Sequence, residues 1–191
     1  MSEIKLFGKY SYNVRVEDES LRPYINLKPM VIPKTYGRTK DKHIVELLIT
    51  HCMVPGHKGK KHKWTSGICT GKYYTIYNQI KKAFEIIEKK TKENPLQVFI
   101  KAIENAAPYE QAVSQQQGGI IVRIGAVCSP RRRLLLALRK IAQGAFFRTH
   151  RNKKSFAECL AQEIIAASQK SNESFAIQER ERMEKEAEGM K

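Results

Sequence analysis

The residues of this chain that could do chemistry are above all its cations. From Pro130 to Lys154 it carries Arg131, Arg132, Arg133, Arg139, Lys140, Arg148, Arg151, Lys153 and Lys154, and not one carboxylate. Solvated helix faces usually alternate their signs, because like charges one turn apart repel. A one-sign run that also holds an apolar stripe calls for an external polyanion. Nucleic acid suits best, since each cation that meets a phosphate releases a condensed counterion. The bland alternative for this segment is an ordinary solvated surface. The rest of the chain agrees in sign: 191 residues with a formal net charge of +16 and a pI near 9.8, the footprint of a nucleic-acid binder.

Other chemistries fit less well. His51, Cys52, His57, His62 and Cys69 are metal-ligand types, but their spacing matches no common zinc pattern. Lys58, Lys60, Lys61 and Lys63 lie among them and would repel the ion, so the segment reads as a phosphate-contacting loop. His57, His62 and Cys69 remain weak metal candidates only. Gly67 to Lys72 resembles a phosphate loop but has three residues between its glycines and Tyr73 after the lysine, which argues against nucleotide hydrolysis. Cys128 and Cys159 have no nearby partner that suggests a base. The four cysteines form no C-x-x-C pair, so free thiols in a reducing compartment are expected. No run reaches the length of a membrane span and the N-terminus lacks a signal-peptide core. The expectation is a non-enzymatic protein with no cofactor and no membrane partner.

The elements that position the cations follow from periodicity. At about 100° per residue, Leu134, Ala137, Leu138, Ile141 and Ala145 share one arc, with Arg132, Arg139 and Gln143 opposite and Lys140 and Arg133 on its flank. Ser129-Pro130 opens this helix as an N-cap hydroxyl followed by proline. Earlier helices are predicted over about 41–53, over 73–90 (Ile76, Ile80, Ala83, Phe84, Ile87) and from Asn94-Pro95 to Asn105 (Leu96, Phe99, Ile100, Ile103). Ser155 and Glu158 form a capping box that opens a helix with Phe156, Leu160, Ile164 and Ala167. A last helix over about 174–188 has few apolar anchors and is expected to be only partly docked. Between Tyr109 and Val127 a period-two pattern with Gly118-Gly119 at its turn reads as a projecting β-hairpin, or alternatively a buried ribbon, whose obvious cation is Arg123. Residues 1–40 interleave tyrosines with Pro23, Pro29 and Pro33; they read as an extended arm lying along a partner surface, with a short ordered piece around Leu21. The predicted architecture is mainly α: a helical bundle of about six helices over 41–191, with a protruding hairpin at about 109–127 and the N-terminal arm.

Several segments carry a family likeness in the right order. These are Gly71-Lys72 followed by Ala83-Phe84-Glu85-Ile86-Ile87; Glu93-Asn94-Pro95-Leu96-Gln97-Val98; Ala102-Ile103-Glu104-Asn105; Ser129-Pro130-Arg131-Arg132-Arg133; and Ala157-Glu158-Cys159-Leu160-Ala161. Leu6-Phe7-Gly8-Lys9 and Ser20-Leu21 add an N-terminal extension. Together they resemble the universal small-subunit ribosomal protein of family seven, protein five in the older eukaryotic naming, over most of the chain. The resemblance implies a helical bundle with an extended hairpin that binds the 3′ major domain of small-subunit rRNA and nucleates head assembly. It implies that the hairpin and the C-terminal helix lie near exit-site tRNA and outgoing mRNA, beside neighbouring head proteins. It also implies, with the N-terminal segments resembling the extension of eukaryotic members, a eukaryotic cytoplasmic ribosome with nucleolar assembly.

Residue by residue, Arg132, Arg133 and Arg139 match family arginines on the RNA-facing helix, Arg151, Asn152 and Lys154 match the basic loop after it, and Lys72 belongs to the Gly-Lys motif. The chain departs from the pattern at Tyr73, in an apparent insertion between Met53 and Gly71, and at Gln115-Gln116-Gln117, where the hairpin approach is often basic. A helix-turn-helix-like DNA-binding regulator is the main alternative, and a zinc-dependent RNA enzyme lies far behind it. A DNA reader concentrates its contacts on a short recognition helix, whereas these cations spread over an arm, a loop and a long helix, which suits a folded RNA.

Overall fold

The computed structural model describes residues 5–28, 42–58, 61–62 and 69–190, with the backbone alone at 57–58 and 61–62. Its elements are α1 (Ile44–Cys52), β1 (His57–Lys58), β2 (Lys61–His62), α2 (Tyr73–Thr91), α3 (Pro95–Ala106), β3 (Glu110–Gln117), β4 (Ile120–Val127), α4 (Pro130–Thr149), α5 (Phe156–Ser168) and α6 (Phe175–Glu188). Among the described residues this is a bundle of six α-helices with one long antiparallel hairpin.

Local chemistry sets the helix starts. His43 accepts the Val45 N–H through Nδ1 while Glu46 accepts the His43 N–H, a reciprocal cap on α1. Burial holds the His43 pKa down at about 4, so the ring is neutral at pH 7 and can accept at that nitrogen. Asn94 caps α3 by accepting the Leu96 N–H, and the Ser155–Glu158 capping box on α5 is present. Ser129 differs from expectation: its side chain makes no capping hydrogen bond at α4. Pro130 has no N–H to satisfy, and the Ser129 carbonyl already accepts from Arg133.

The buried stripe of α2 is the predicted one, Ile76, Ile80, Ala83, Phe84 and Ile87. In α4 burial is wider than one arc, and Arg133, Ala142, Gln143 and Gly144 are buried as well. The reason is that α4 packs against α1, α3, α5 and α6. It is a central helix rather than a surface one, and Gln143, expected opposite the apolar arc, lies inside. Gly144 is the point of closest approach. A Cβ there would stand 2.8 Å from the Glu163 carboxyl carbon and 2.9 Å from the Phe175 Cβ, so only glycine lets α5 and α6 come this near.

The arm is extended as expected but lies on its own chain. Leu6, Tyr10, Leu21 and Ile25 are part of the core. Phe7 and Tyr10 pack edge-on against Phe84, at ring separations of 5.7 and 6.4 Å, and Tyr10 Oη donates to Glu88. The Gln97 amide bonds both the N–H and the C=O of residue 15, and Glu104 accepts the N–H groups of Glu17 and Asp18. These side chains on α3 replace a β-partner for the extended backbone. The ordered piece near Leu21 is a short 3-10 helix, Arg22–Tyr24. Pro29, Pro33 and Tyr36 lie outside the described residues.

In the hairpin, Gln117 pairs with Ile120 across the two-residue loop Gly118-Gly119, whose φ angles of 55° and 88° need glycine. Each strand has eight residues, about 27 Å at the usual rise. The inner half rests on α6 and the outer half is exposed, with Ile120 and Ile121 about 70% accessible. The buried-ribbon alternative therefore does not hold. Helix α6 is docked more fully than its composition suggested: Ala176, Ile177, Glu179 and Ala187 are buried along it, and Glu184 accepts the Tyr109 N–H at the hairpin base.

Candidate nucleic-acid interface

The basic run divides once it is folded. Arg131, Arg132 and Arg139 are exposed on the first half of α4, and Arg151, Asn152, Lys153 and Lys154 are exposed in the loop after it. At about 1.5 Å per residue, roughly 15 Å of helix separate Arg139 from the end of α4, where the second group begins. Arg132 Nε donates to Gln111 Oε1 at 2.8 Å, which fixes its direction beside the hairpin base. Arg139 pairs with no carboxylate among the described residues. Lys72, just before α2, and Arg123, opposite Ser114 on the outer hairpin, are also exposed.

Three cations of the run face inward instead. Arg133, expected on the RNA-facing side, is 4% exposed. Its guanidinium pairs with Asp18 at 2.9 Å, donates to Ser20 Oγ and the Pro108 carbonyl, and stacks 4.1 Å over the Tyr109 ring. It ties the arm, α4 and the hairpin base together. Lys140 pairs with Glu179 of α6 at 2.7 Å. Arg148 pairs with the buried Glu163 at 3.2 Å and donates to the Glu173 carbonyl. The sequence contains no carboxylate near these cations, but folding brings Asp18, Glu163 and Glu179 to them from distant segments. For these three positions the external-polyanion argument therefore fails.

Burial alone would raise the Asp18 pKa, but the Ser20 hydrogen bond and the Arg133 charge outweigh it and hold the carboxyl below its ordinary value. Because the folded pKa is depressed, this contribution to stability is complete at neutral pH and is lost as pH falls below the ordinary carboxylate range. Arg133→Ala is expected to cost about 1–3 kcal/mol, since it removes charged hydrogen bonds and leaves the Pro108 carbonyl without this donor. Urea unfolding followed by circular dichroism measures it. A variant as stable as the parent would mean that the Asp18–Arg133 tie contributes nothing.

The loop between α1 and α2 is described only in part. His57 pairs with His62 and Lys58 with Lys61 along the backbone of β1 and β2; the side chains of these four, and all of Lys60 and Lys63, lie outside the described residues. Among the described residues no group of three or more His, Cys, Asp or Glu side chains converges as a metal site. Cys69 is half-buried, and all four thiols are free. No described helix is long and apolar enough to cross a membrane.

A second feature has no local signature. A groove of about 840 Å³ runs between the end of α2, α3 and α5, with Lys90, Lys101, Arg148 and Lys154 around a floor that includes Val98 and Ile165. Lys90 and Lys101 sit on ordinary solvated faces in the sequence, and only the packing of three helices brings them together.

Comparison of the sequence with known proteins matches the chain to one family. The family model described as ribosomal protein S7p/S5e matches residues 21–191. The chain is 49% identical over 195 aligned residues to the small ribosomal subunit protein uS7 of Nanoarchaeum equitans (strain Kin4-M), covering 97% of this chain and 98% of that protein. It is 43% identical over 193 residues to the uS7 protein of Archaeoglobus fulgidus, covering 97% and 94%. The DNA-regulator and zinc-enzyme alternatives end there. With its helical bundle, central basic helix and projecting hairpin, the chain belongs to the ribosomal protein S7p/S5e family and is a non-enzymatic protein of the small ribosomal subunit.

Proposed function

We propose that the protein binds small-subunit rRNA through two basic surfaces, Arg131, Arg132 and Arg139 on α4 and Arg151, Asn152, Lys153 and Lys154 in the following loop. The observation that carries this is the division of the basic run. Arg133, Lys140 and Arg148 turn inward to Asp18, Glu179 and Glu163, whereas the side chains of these two groups are exposed, one on the first half of α4 and the other beyond its end. Lys72 and Arg123 extend the contact, with Lys58, Lys60, Lys61 and Lys63 contributing from the loop between α1 and α2. Binding at two separated places holds rRNA segments in a fixed relation, and that is how the protein would nucleate assembly of the subunit head. The hairpin projects from this platform towards exit-site tRNA and outgoing mRNA, and neighbouring head proteins flank it. Nucleolar assembly applies only to a nucleated cell; relatives from Nanoarchaeum and Archaeoglobus lend it no support, and it is not part of the proposal.

Replacing Arg132 and Arg139 together with Ala tests the first surface. Stability should change by no more than about 0.5 kcal/mol, as for exposed positions generally. Affinity for an rRNA 3′-domain transcript should fall, and the slope of log affinity against log salt should shrink by roughly 0.7–0.9 for each phosphate that the variant no longer neutralises. An unchanged slope would show that these guanidiniums do not meet phosphate.

The hairpin has a separate test. Its outer strands pair Gln115, Gln116 and Gln117 with Val122, Ile121 and Ile120, a surface suited to hydrogen bonding and apolar contact more than to phosphate neutralisation. Deleting residues 115–119 and closing the strands with a two-residue turn should leave folding and incorporation into subunits largely intact. Retention of exit-site tRNA, or accuracy of reading-frame selection, should change instead. A block to incorporation, with normal translation by any assembled subunits, would make the hairpin an assembly element.

A further inference from the structure

The groove between the end of α2, α3 and α5 presents polar groups that the rest of the fold does not use. Gln162 and Gln169 both line it, and among the described residues neither side-chain amide has a hydrogen-bond partner. Lys90 and Lys101 line it too and form no ion pair among the described residues. The other polar groups are engaged within the fold. Thr91 and Ser168 donate their hydroxyls to carbonyls of their own helices, and Arg148 is held by Glu163 and the Glu173 carbonyl. Between them lie Val98, which is buried, and Ile165, which is half-buried.

The two glutamines are seven positions apart, two helical turns, so they share one face of α5 and its C-cap. The same spacing occurs on α3, in Gln97 and Glu104, and there it has an occupant. Gln97 bonds both the N–H and the C=O of Arg15, and Glu104 accepts the N–H groups of Glu17 and Asp18. This chain therefore already holds one extended segment on two polar side chains of a helix face. The pair on α5 repeats the arrangement with nothing on it among the described residues.

We propose that this groove holds an extended segment of a neighbouring small-subunit protein. Its backbone lies on the Gln162 and Gln169 amides, an apolar side chain rests over Val98 and Ile165, and acidic side chains meet Lys90 and Lys101. The proposal rests on the reading that head proteins flank this one, and it specifies where one of them docks. Two helical turns span roughly 10.5 Å, about three residues of extended chain, which matches the step from Arg15 to Asp18 on α3. Each glutamine offers a carbonyl acceptor and an NH₂ donor, so it can satisfy both backbone groups of one residue, as Gln97 does.

The groove suits RNA less well. RNA readers stack unpaired bases on aromatic rings or arginine planes, but among the described residues no aromatic ring lines this groove and its arginine is already held. The carboxylates of Glu93 and Glu173 also line it. A nucleic-acid strand brings a phosphate with every nucleotide, whereas a peptide can carry its acids opposite the lysines and none beside these glutamates. A second copy of this chain is disfavoured by its own net charge of +16.

The test places the photo-crosslinker benzoylphenylalanine at position 169, which is exposed, in assembled small subunits. The exposed positions 74, 121 and 127 serve as references. The expected product at 169 is a crosslink to one segment of another subunit protein, with at least one acidic residue within it. A synthetic peptide of that segment should bind the full chain. Gln162→Ala combined with Gln169→Ala should weaken it by about 5- to 150-fold, as for one net hydrogen bond lost at each glutamine. Gln169→Ala alone, at the exposed position, should show part of the loss. Lys90→Ala with Lys101→Ala should reduce the salt dependence of peptide binding and leave affinity for an rRNA 3′-domain transcript at the parental value. Circular dichroism melting confirms that each variant folds. A crosslink from 169 to rRNA or to a second copy, no crosslink there, or parental peptide affinity in the glutamine variants would each overturn the docking site. If the reference positions still join head proteins, the reading that such proteins flank the chain stands. If none of the four positions joins any protein, that reading falls as well.

Discussion

Glu163→Ala should destabilise the protein by about 3–5 kcal/mol, the range for removing one member of a buried ion pair. Glu163 is fully buried on α5. One of its oxygens accepts from Ser174 Oγ at 2.7 Å and from the Ala176 N–H at 3.0 Å, so it satisfies donors at the first turn of α6 that no helical carbonyl can reach. The other pairs with Arg148. Truncation would leave those donors and the guanidinium without their acceptor, at the place where Gly144 lets α4, α5 and α6 meet. The value belongs near the lower end, because Arg148 is 30% exposed and water can compensate in part.

The conservative variant separates two causes. Burial raises the Glu163 pKa above its ordinary value, although hydrogen bonds from Ala176 and Ser174 and the Arg148 charge oppose it. A carboxyl with a raised folded pKa binds its proton more readily in the folded state. Its own contribution is therefore least favourable at neutral pH and improves as pH falls through that raised value towards the ordinary one. Glu163→Gln keeps an oxygen acceptor for Ser174 and Ala176 and loses only the charge, so it should cost under about 1.5 kcal/mol and abolish this pH-dependent component. Urea titrations at several pH values measure both variants. Equal losses for Ala and Gln would show that the charge, not the cap, holds α6.

Leu138→Ala should cost about 2–5 kcal/mol, as for other large-to-small changes in closed cores. Leu138 is fully buried near the middle of α4, where four other helices pack around it and leave little room to collapse into the space. Because it lies on the side away from Arg132 and Arg139, the folded fraction should bind rRNA with the affinity of the parent. Thermal melting and filter binding at a temperature below both transitions distinguish the two effects. A parental melting temperature would mean that this position is not a closed packing site, and reduced affinity at full folding would place Leu138 on the binding side.

Much of the fold can be read from local pattern because its elements have local causes. The α2 stripe, the Asn94-Pro95 start, the Ser155–Glu158 box and the Gly118-Gly119 turn depend on residues within a few positions of one another, and all are present in the structure. Helix α6 is harder to read. Its helical form follows from local propensity, but its docking rests on alanines and on Glu179 and Glu184, whose partners lie in α4 and at the hairpin base. The arm divides in the same way: proline and alternation make it extended, but its contact surface is formed by Gln97 and Glu104, more than eighty residues away.

Charge shows the same division most clearly. The sequence by itself determined that this protein is strongly basic, that its longest one-sign run lies on an amphipathic helix, and that it resembles a ribosomal family. Only the tertiary structure decided that Arg133, Lys140 and Arg148 serve the fold while Arg131, Arg132 and Arg139 face outward. It alone placed Lys90 and Lys101 beside Lys154. The physical reason is range. Helix periodicity and capping act over a few residues and leave a pattern in the chain, whereas neutralising a buried cation or closing a cleft needs groups that become neighbours only after the helices pack.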